Sequence, residues 1–246
     1  MSPNLDPQAW RELARTRRSI RDFRPDPIPA DLLDAVVEDA LTAPSWSNTQ
    51  PYRLAIASGD RAERLRNTLA ERFDESAPLR RGGLAAKARA LVTRRGLPDS
   101  DFAIPLAYPD ELQHRRRATG FGLYGVLGIE RHDYPARDRQ MRRNFEFFGA
   151  PTAIFAFVHD GLGTYSVLDA GFLLQNLLLA AHARGLGTCA QGALATWAGP
   201  VRTEFEVPDH YRLVCGVSIG YPSDHAVNGY DPGRPAPADI LLPPRL

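Results

Sequence analysis

Ala43-Pro44-Ser45-Trp46-Ser47-Asn48-Thr49-Gln50-Pro51-Tyr52 is a polar turn set between an apolar helical stripe and a strand-like run. Upstream of it, Leu32, Leu33, Val36, Val37, Ala40 and Leu41 recur at i, i+1, i+4, i+5, i+8 and i+9, which draws one buried face on a helix starting near Pro29. Pro44 ends that helix, because its ring removes an N–H and biases Ala43 away from the helical region. Pro51 is expected to keep Gln50 extended as a strand opens over residues 52–58. Between two prolines the backbone is held open. Ser45, Trp46, Ser47, Asn48 and Gln50 then offer donors, acceptors and one aromatic face beside a helix end, a suitable rim for a flat heteroaromatic ligand. Loops rich in Ser, Asn and Pro also occur as plain surface turns.

Working outward toward the N-terminus, Asp6-Pro7 caps a short helix through Trp10, Leu13 and Ala14. Residues 17–24 then run extended, and Pro25, Pro27 and Pro29 stiffen the exit. Five arginines lie between positions 15 and 24. They can be a solvated basic face, a nucleic-acid arm, or a phosphate grip, since the planar guanidinium fork engages phosphate oxygens two at a time. The formal net charge of the 246-residue chain is +1, so no global field favours nucleic acid or an anionic membrane as partner. Lys87 is the only lysine. Cys189 and Cys215 are too few and too isolated for a disulfide scaffold or a metal site, and buried free thiols are expected. No charged segment followed by an apolar stretch opens the chain, and its longest apolar run is interrupted by Gln175 and Asn176. A cytoplasmic protein without membrane spans is expected.

Toward the C-terminus, residues 60–72 read as an exposed helix. Residues 76–100 look like a mobile excursion or helical insertion, and residues 110–148 are helical with one break over 128–135. Phe121 and Tyr124 lie one turn apart and can line a pocket or simply fill core. Residues 152–159 form a buried strand. The longest helix follows over residues 166–184, with Val167, Gly171, Phe172, Leu174, Gln175, Leu178, Leu179 and His182 at helical spacing and Gly185 as its stop. Gly171 permits close approach on that face, as in a central or dimer-interface helix, and His182 reads as a helix-end residue. Residues 186–193 are a short strand opening into a turn, where a glycine lets backbone approach a planar ligand. Residues 200–205 make a short helix and residues 211–220 the last core strand. Prolines at 222, 232, 235, 237, 243 and 244 exclude an ordinary helix or central strand from the tail, which is expected to wrap over a partner subunit.

No Gly-x-Gly-x-x-Gly follows a strand, and no phosphate-loop, zinc-protease or Gly-x-Ser-x-Gly motif occurs. No constellation of acid, base or nucleophile stands out. Hydride chemistry carried by a cofactor needs none, since the protein then supplies binding and orientation.

Four blocks in order resemble the FMN-dependent nitroreductase family, most nearly its nitrobenzoate-reductase-like members. They are Arg17-Arg18-Ser19-Ile20-Arg21-Asp22-Phe23; the opening loop; Arg143-Asn144-Phe145-Glu146-Phe147-Phe148-Gly149-Ala150-Pro151; and a last block from Asp169 through Gly185-Leu186-Gly187-Thr188-Cys189-Ala190-Gln191 to Gly220-Tyr221-Pro222. The resemblance implies a single α+β domain over residues 1–246, with helices flanking a mostly antiparallel central sheet. It also implies an interlocked homodimer with an extended C-terminal tail and FMN sites at the interface, residues 76–135 being a helical insertion or lid. NADH or NADPH would reduce FMN, and a small planar aromatic acceptor, a nitroaromatic or quinone, would then take the electrons in a ping-pong cycle. By position, Arg17, Arg18, Ser19 and Arg21 resemble the block that grips the ribityl phosphate and the pyrimidine edge, with Arg21 near N1/O2. Pro44, Ser45 and Trp46 resemble the segment reaching the flavin from the other subunit, supported by Asn48 and Gln50. Gln191 and Gly192 match the turn facing the N5/O4 edge, and Arg234 a late arginine on the phosphate. Asp231 stands where relatives often carry a second basic residue. Another branch of the fold, a reductive dehalogenase or a flavin-fragmenting enzyme, stays open, as does a non-catalytic flavin-binding protein.

Overall fold

A computed structural model describes residues 6–105 and 107–244. In chain order these residues form α1 (Pro7–Thr16), α2 (Ala30–Ala40), β1 (Tyr52–Ser58), α3 (Gly59–Glu75), α4 (Ala77–Arg81), α5 (Leu84–Thr93), α6 (Asp110–Val126) and α7 (Tyr134–Arg142), followed by β2 (Thr152–His159), α8 (Thr164–Ala183), β3 (Gly187–Gln191), α9 (Ala198–Glu204) and β4 (Tyr211–Gly220). The strands lie in the order β1-β2-β4-β3, every pair antiparallel, so the α+β expectation holds. Gly187 pairs with Gly220 and Gln191 with Gly216, which leaves β3 at one edge.

Each face of the sheet is covered. On one side α2 and α8 bring Val36, Ala40, Leu173 and Leu177 onto Ile154, Val217 and Ile219. On the other, α3 and α9 join Phe145, Phe147 and Trp197 over Phe155, Phe157 and Leu213. Phe155 and Ile154 are adjacent and fully buried, one to each face, as strand alternation requires. Each such side chain contributes about 1.5–3 kcal/mol on burial. Asp6 caps α1 as expected, accepting a hydrogen bond from the Gln8 N–H at 2.9 Å.

Several expectations need correction. Leu41 lies beyond the end of α2 and is 52% exposed, because the chain turns at residues 41–43 before Pro44 is reached. Gln50 is not extended: its φ is +44°, in the left-handed region, where a hydrogen bond from its N–H to Ser45 Oγ holds it. Helix α3 is not an exposed helix; Ala62, Leu65, Leu69 and Phe73 bury one face under its charged surface. In α8 the buried set is Ser166, Asp169, Ala170, Leu173, Leu177, Leu179, Ala180 and Ala181, so the face chosen from sequence is rotated off the buried one: Leu179 is shared, Leu174 and Leu178 are half-buried against the core, and Gly171, Phe172 and Gln175 are exposed. Cys189 is buried, Cys215 only half-buried, and both are free. Residues 120–125 do spell Gly-x-Gly-x-x-Gly, but inside α6. Of residues 76–100, helices α4 and α5 occupy most, and the end is anchored by Trp197 Nε1 donating to Leu97 O and Arg202 pairing with Asp101. One helix among the described residues, α8, is long and apolar enough to cross a membrane, and it is instead the helix packed across the sheet.

Candidate active site

The arginine segment lies along the free edge of β3. Ser19 bridges to Thr188 in parallel, the Ile20 N–H donates to Thr188 O at 2.9 Å, and the Arg24 N–H donates to Tyr221 O at 2.9 Å. Ile20 and Phe23 point inward and are buried, while Arg21 between them is half-buried and Arg24 after them is exposed. Asn228 from the tail clamps this strand. Its Oδ1 accepts from the N–H groups of Arg21 and Asp22, and its Nδ2 donates to the carbonyls of Asp22 and Ser223. Asp22 in turn accepts from Arg143 at 2.7 Å and from Ser223 at 2.5 Å. Burial alone would raise the Asp22 pKa, but these hydrogen bonds and the Arg143 charge outweigh it and hold the carboxyl below its usual range.

Beside this segment Arg17, Arg18 and His182 line a cavity of about 320 Å³ together with Thr188 and Asn228. The Arg17 pKa is lowered by burial, then by the charges of Arg234 and Arg18. Burial, then the charges of Arg17 and Arg18, lower the His182 pKa. Thr16 Oγ1 lies 2.8 Å from Glu12 O and 2.9 Å from His182 Nε2, which ties the end of α1 to the end of α8. Arg18 has a counter-charge in Asp231 at 2.8 Å. Among the described residues no carboxylate pairs with Arg17 or Arg234. Guanidinium groups that feel each other's charge without a counter-ion favour an anion beside them.

Arg21 faces a second cavity of about 660 Å³, which Phe121, Tyr124, Asn144 and Phe148 also line. Its size suits a small ligand. Phe121 and Tyr124 therefore do share a pocket wall, and one of the arginines predicted for the flavin lies beside them. Gln191 acts from behind: its buried side chain donates to Asn144 O at 2.8 Å and accepts from Ser218 Oγ, while Gly192 is exposed at the following turn. Asn144 is thus fixed by Gln191.

Residues 44–50 line neither cavity. Ser47, Asn48 and Gln50 all have positive φ, a concentration of strained backbone that persists only where surroundings impose it. Asp169, 3% exposed, imposes part of it by accepting from the Trp46 N–H at 3.0 Å, and the Trp46 ring packs 4.1 Å from that of Tyr165. Trp46 remains 51% exposed, presented outward. The chain therefore brings Arg17, Arg18 and Arg234 together, sets Arg21 with Phe121 and Tyr124, and leaves Pro44, Ser45, Trp46, Asn48 and Gln50 on a separate surface.

Asp22, Arg143, Asn228 and Asp169 were missed as positioning residues. Asn228 and Asp22 are separated by about two hundred positions, so no local pattern could pair them. Neither cysteine is a nucleophile, since burial pushes both thiols up to about 11. Among the described residues no group of three or more His, Cys, Asp or Glu could hold a metal.

Residues 14–221 match the model of the nitroreductase family. The chain is 33% identical over 217 residues to a 4-nitrobenzoate reductase of Pseudomonas putida, covering 86% of this chain and 84% of that one. It is 32% identical over 225 residues to a chloronitrobenzene nitroreductase of Comamonas testosteroni, covering 89% and 87%. Among solved structures, the FMN-dependent nitroreductase NfnB from Mycobacterium smegmatis in complex with NADPH superposes with a TM-score of 0.80 at 32% identity, over 97% of this chain and 99% of that one.

Proposed function

The chain belongs to the nitroreductase family, and from that membership we propose that it is an FMN-dependent oxidoreductase that takes electrons from NADH or NADPH and reduces nitroaromatic or quinone-like acceptors. The observation that carries the reading is the pair of uncompensated guanidinium groups, Arg17 and Arg234, at one end of the arginine segment, with Arg21 four positions on beside an aromatic-walled cavity. Phosphate and flat ring of one ligand would be served by one extended strand.

FMN supplies the hydride chemistry when bound. Arg17 and Arg234 hold its phosphate, with Ser19 and Arg18 alongside, Arg18 contributing less because Asp231 already neutralises it. Arg21 would offer a fixed positive charge to the bound ring, a preorganised electrostatic contribution. Asn228 holds its backbone N–H, and its guanidinium donates to Ser19 O. The turn at Gln191 and Gly192 would offer exposed backbone to the ring. Phe121 and Tyr124 would orient the acceptor in the cavity beside Arg21.

The loop over residues 44–50 serves the site of a second copy in a homodimer. Support comes from the outward apolar strip of α8, Tyr165, Leu168 and Phe172, and from α1, which has no buried residue and carries an exposed Trp10. Residues 1–246 act as a single domain in which residues 76–135 are the insertion that builds the acceptor wall. Reduced free thiols agree with a cytoplasmic setting.

The relatives' names divide between a carboxylated and an uncharged nitroarene at nearly equal identity, so similarity alone does not choose the acceptor. Anaerobic turnover tests the reading: the purified protein with FMN should oxidise NADPH or NADH beyond one equivalent per flavin only when a nitroarene is added, forming the hydroxylamine. Flavin binding without donor oxidation would leave a sequestering protein instead.

A further inference from the structure

The cavity beside Arg21 carries five guanidinium groups, those of Arg21, Arg116, Arg117, Arg131 and Arg137, and no carboxylate among the described residues that line it. None of the five has an ion-pair partner among the described residues, whereas nearby Arg80 and Arg81 share Asp138. Three of them are laid over ring faces instead. Arg116 is 4.8 Å from the centroid of Tyr108, Arg131 is 5.7 Å from that of Phe121, and Arg137 is 5.2 Å from that of Tyr124. Arg137 also donates to Arg131 O at 3.1 Å, which ties α7 to the turn before it.

Like charges collected around one cleft repel each other and focus positive potential into it. Stacking on rings satisfies a guanidinium's faces and leaves its N–H edges free, and those edges take a planar oxyanion two bonds at a time. Ring and charge alternate along the wall, so the ligand that matches it carries both in one small body. We propose that the α6–α7 wall is a selectivity subsite for acceptors bearing a carboxylate on the aromatic ring. The ring lies along Phe121 and Tyr124, and the carboxylate sits on Arg131 and Arg137. A phosphate of the pyridine nucleotide would use the guanidinium groups but not the rings between them. This inference rests on the reductase reading of the same cavity and adds the charge of the acceptor to it.

Two measurements on the FMN-loaded protein test it. By calorimetry, benzoate should bind at least tenfold tighter than benzamide, the preference should shrink as salt is raised, and Arg131→Gln/Arg137→Gln should abolish it. In turnover, kcat/KM for 4-nitrobenzoate should exceed that for its methyl ester at least tenfold, and the ratio should collapse in the double variant. Arg116→Gln alone should lower the ratio in part, which serves if the double variant does not fold. Equal use of acid and ester by the wild type overturns the subsite and leaves the reductase reading intact. A loss of NADPH over NADH discrimination in the variants, with the acid-to-ester ratio unmoved, assigns the wall to the donor and likewise overturns it. If no acceptor is reduced, the reductase reading falls, and benzoate against benzamide still decides the subsite.

Discussion

Arg17 sits where a positive charge is disfavoured, half-buried and close to two other guanidinium groups, and a bound phosphate would remove that penalty. A hydrogen bond to a charged partner contributes about 1.5–3 kcal/mol. Arg17→Ala or Arg234→Ala should therefore raise the Kd for FMN about 10- to 100-fold. Arg18→Ala should change it less than about threefold, because Asp231 already engages that side chain. Asp231→Asn keeps an acceptor for the Gly233 N–H and frees Arg18, so FMN should bind more tightly; fluorescence titration of the four variants checks this order. Unchanged affinity in Arg17→Ala and Arg234→Ala would refute the phosphate assignment. His182 gives a pH test. Its folded pKa lies below the ordinary 6.5, so the unfolded chain binds more protons between the two values and stability rises with pH across that window. Below it the full destabilisation is present; above 6.5 none remains. In the FMN-free protein, His182→Gln should thus gain on the wild type as pH falls through that window in urea titrations. The arginine block was legible in the sequence because its spacing is local. The damping of Arg18 was foreshadowed only by an acidic residue at an unexpected place.

At the level of elements, the arginine segment and β3 meet at Gly187, where a Cβ would lie 2.6 Å from Ile20 Cγ1 and 2.9 Å from Pro222 Cγ. Both neighbours are stiff and packed. Gly187→Val should cost about 1–3 kcal/mol by overpacking. It should also weaken FMN binding, since Ile20 anchors the strand that carries Arg17 and Arg21. Thermal unfolding and flavin titration together test this, and a stability loss with unaltered flavin affinity would separate the two. The strand positions were readable because each is a short apolar run bounded by turn residues, whereas the order β1-β2-β4-β3 rests on long-range pairing that no local run displays. The face of α8 was not, because that helix is apolar nearly all round and periodicity cannot choose between a side that meets the sheet and a side left for another chain. Gln50 escaped for a different reason: a following proline disfavours the right-handed helical region, but it was a side chain five positions back, Ser45, that selected the left-handed one.

For the whole molecule, the exposed apolar strip of α8, the outward Trp46 and the apolar tail residues Ile240, Leu241 and Leu242 point the same way. Such surface is covered in a stable assembly. Leu168→Glu with Phe172→Glu should convert a dimer to a monomer by sedimentation and, with the loop over residues 44–50 no longer reaching a second copy, release most of the flavin. The central claim is that one extended arginine strand and a twofold-related loop hold one FMN per chain. The direct measurement is the absorbance spectrum and sedimentation of the purified protein, before and after NADPH and then a nitroarene under nitrogen. The account predicts a yellow dimer with one flavin per chain that bleaches with NADPH and recovers its colour with the nitroarene. A colourless monomer that takes up no FMN on incubation would contradict it.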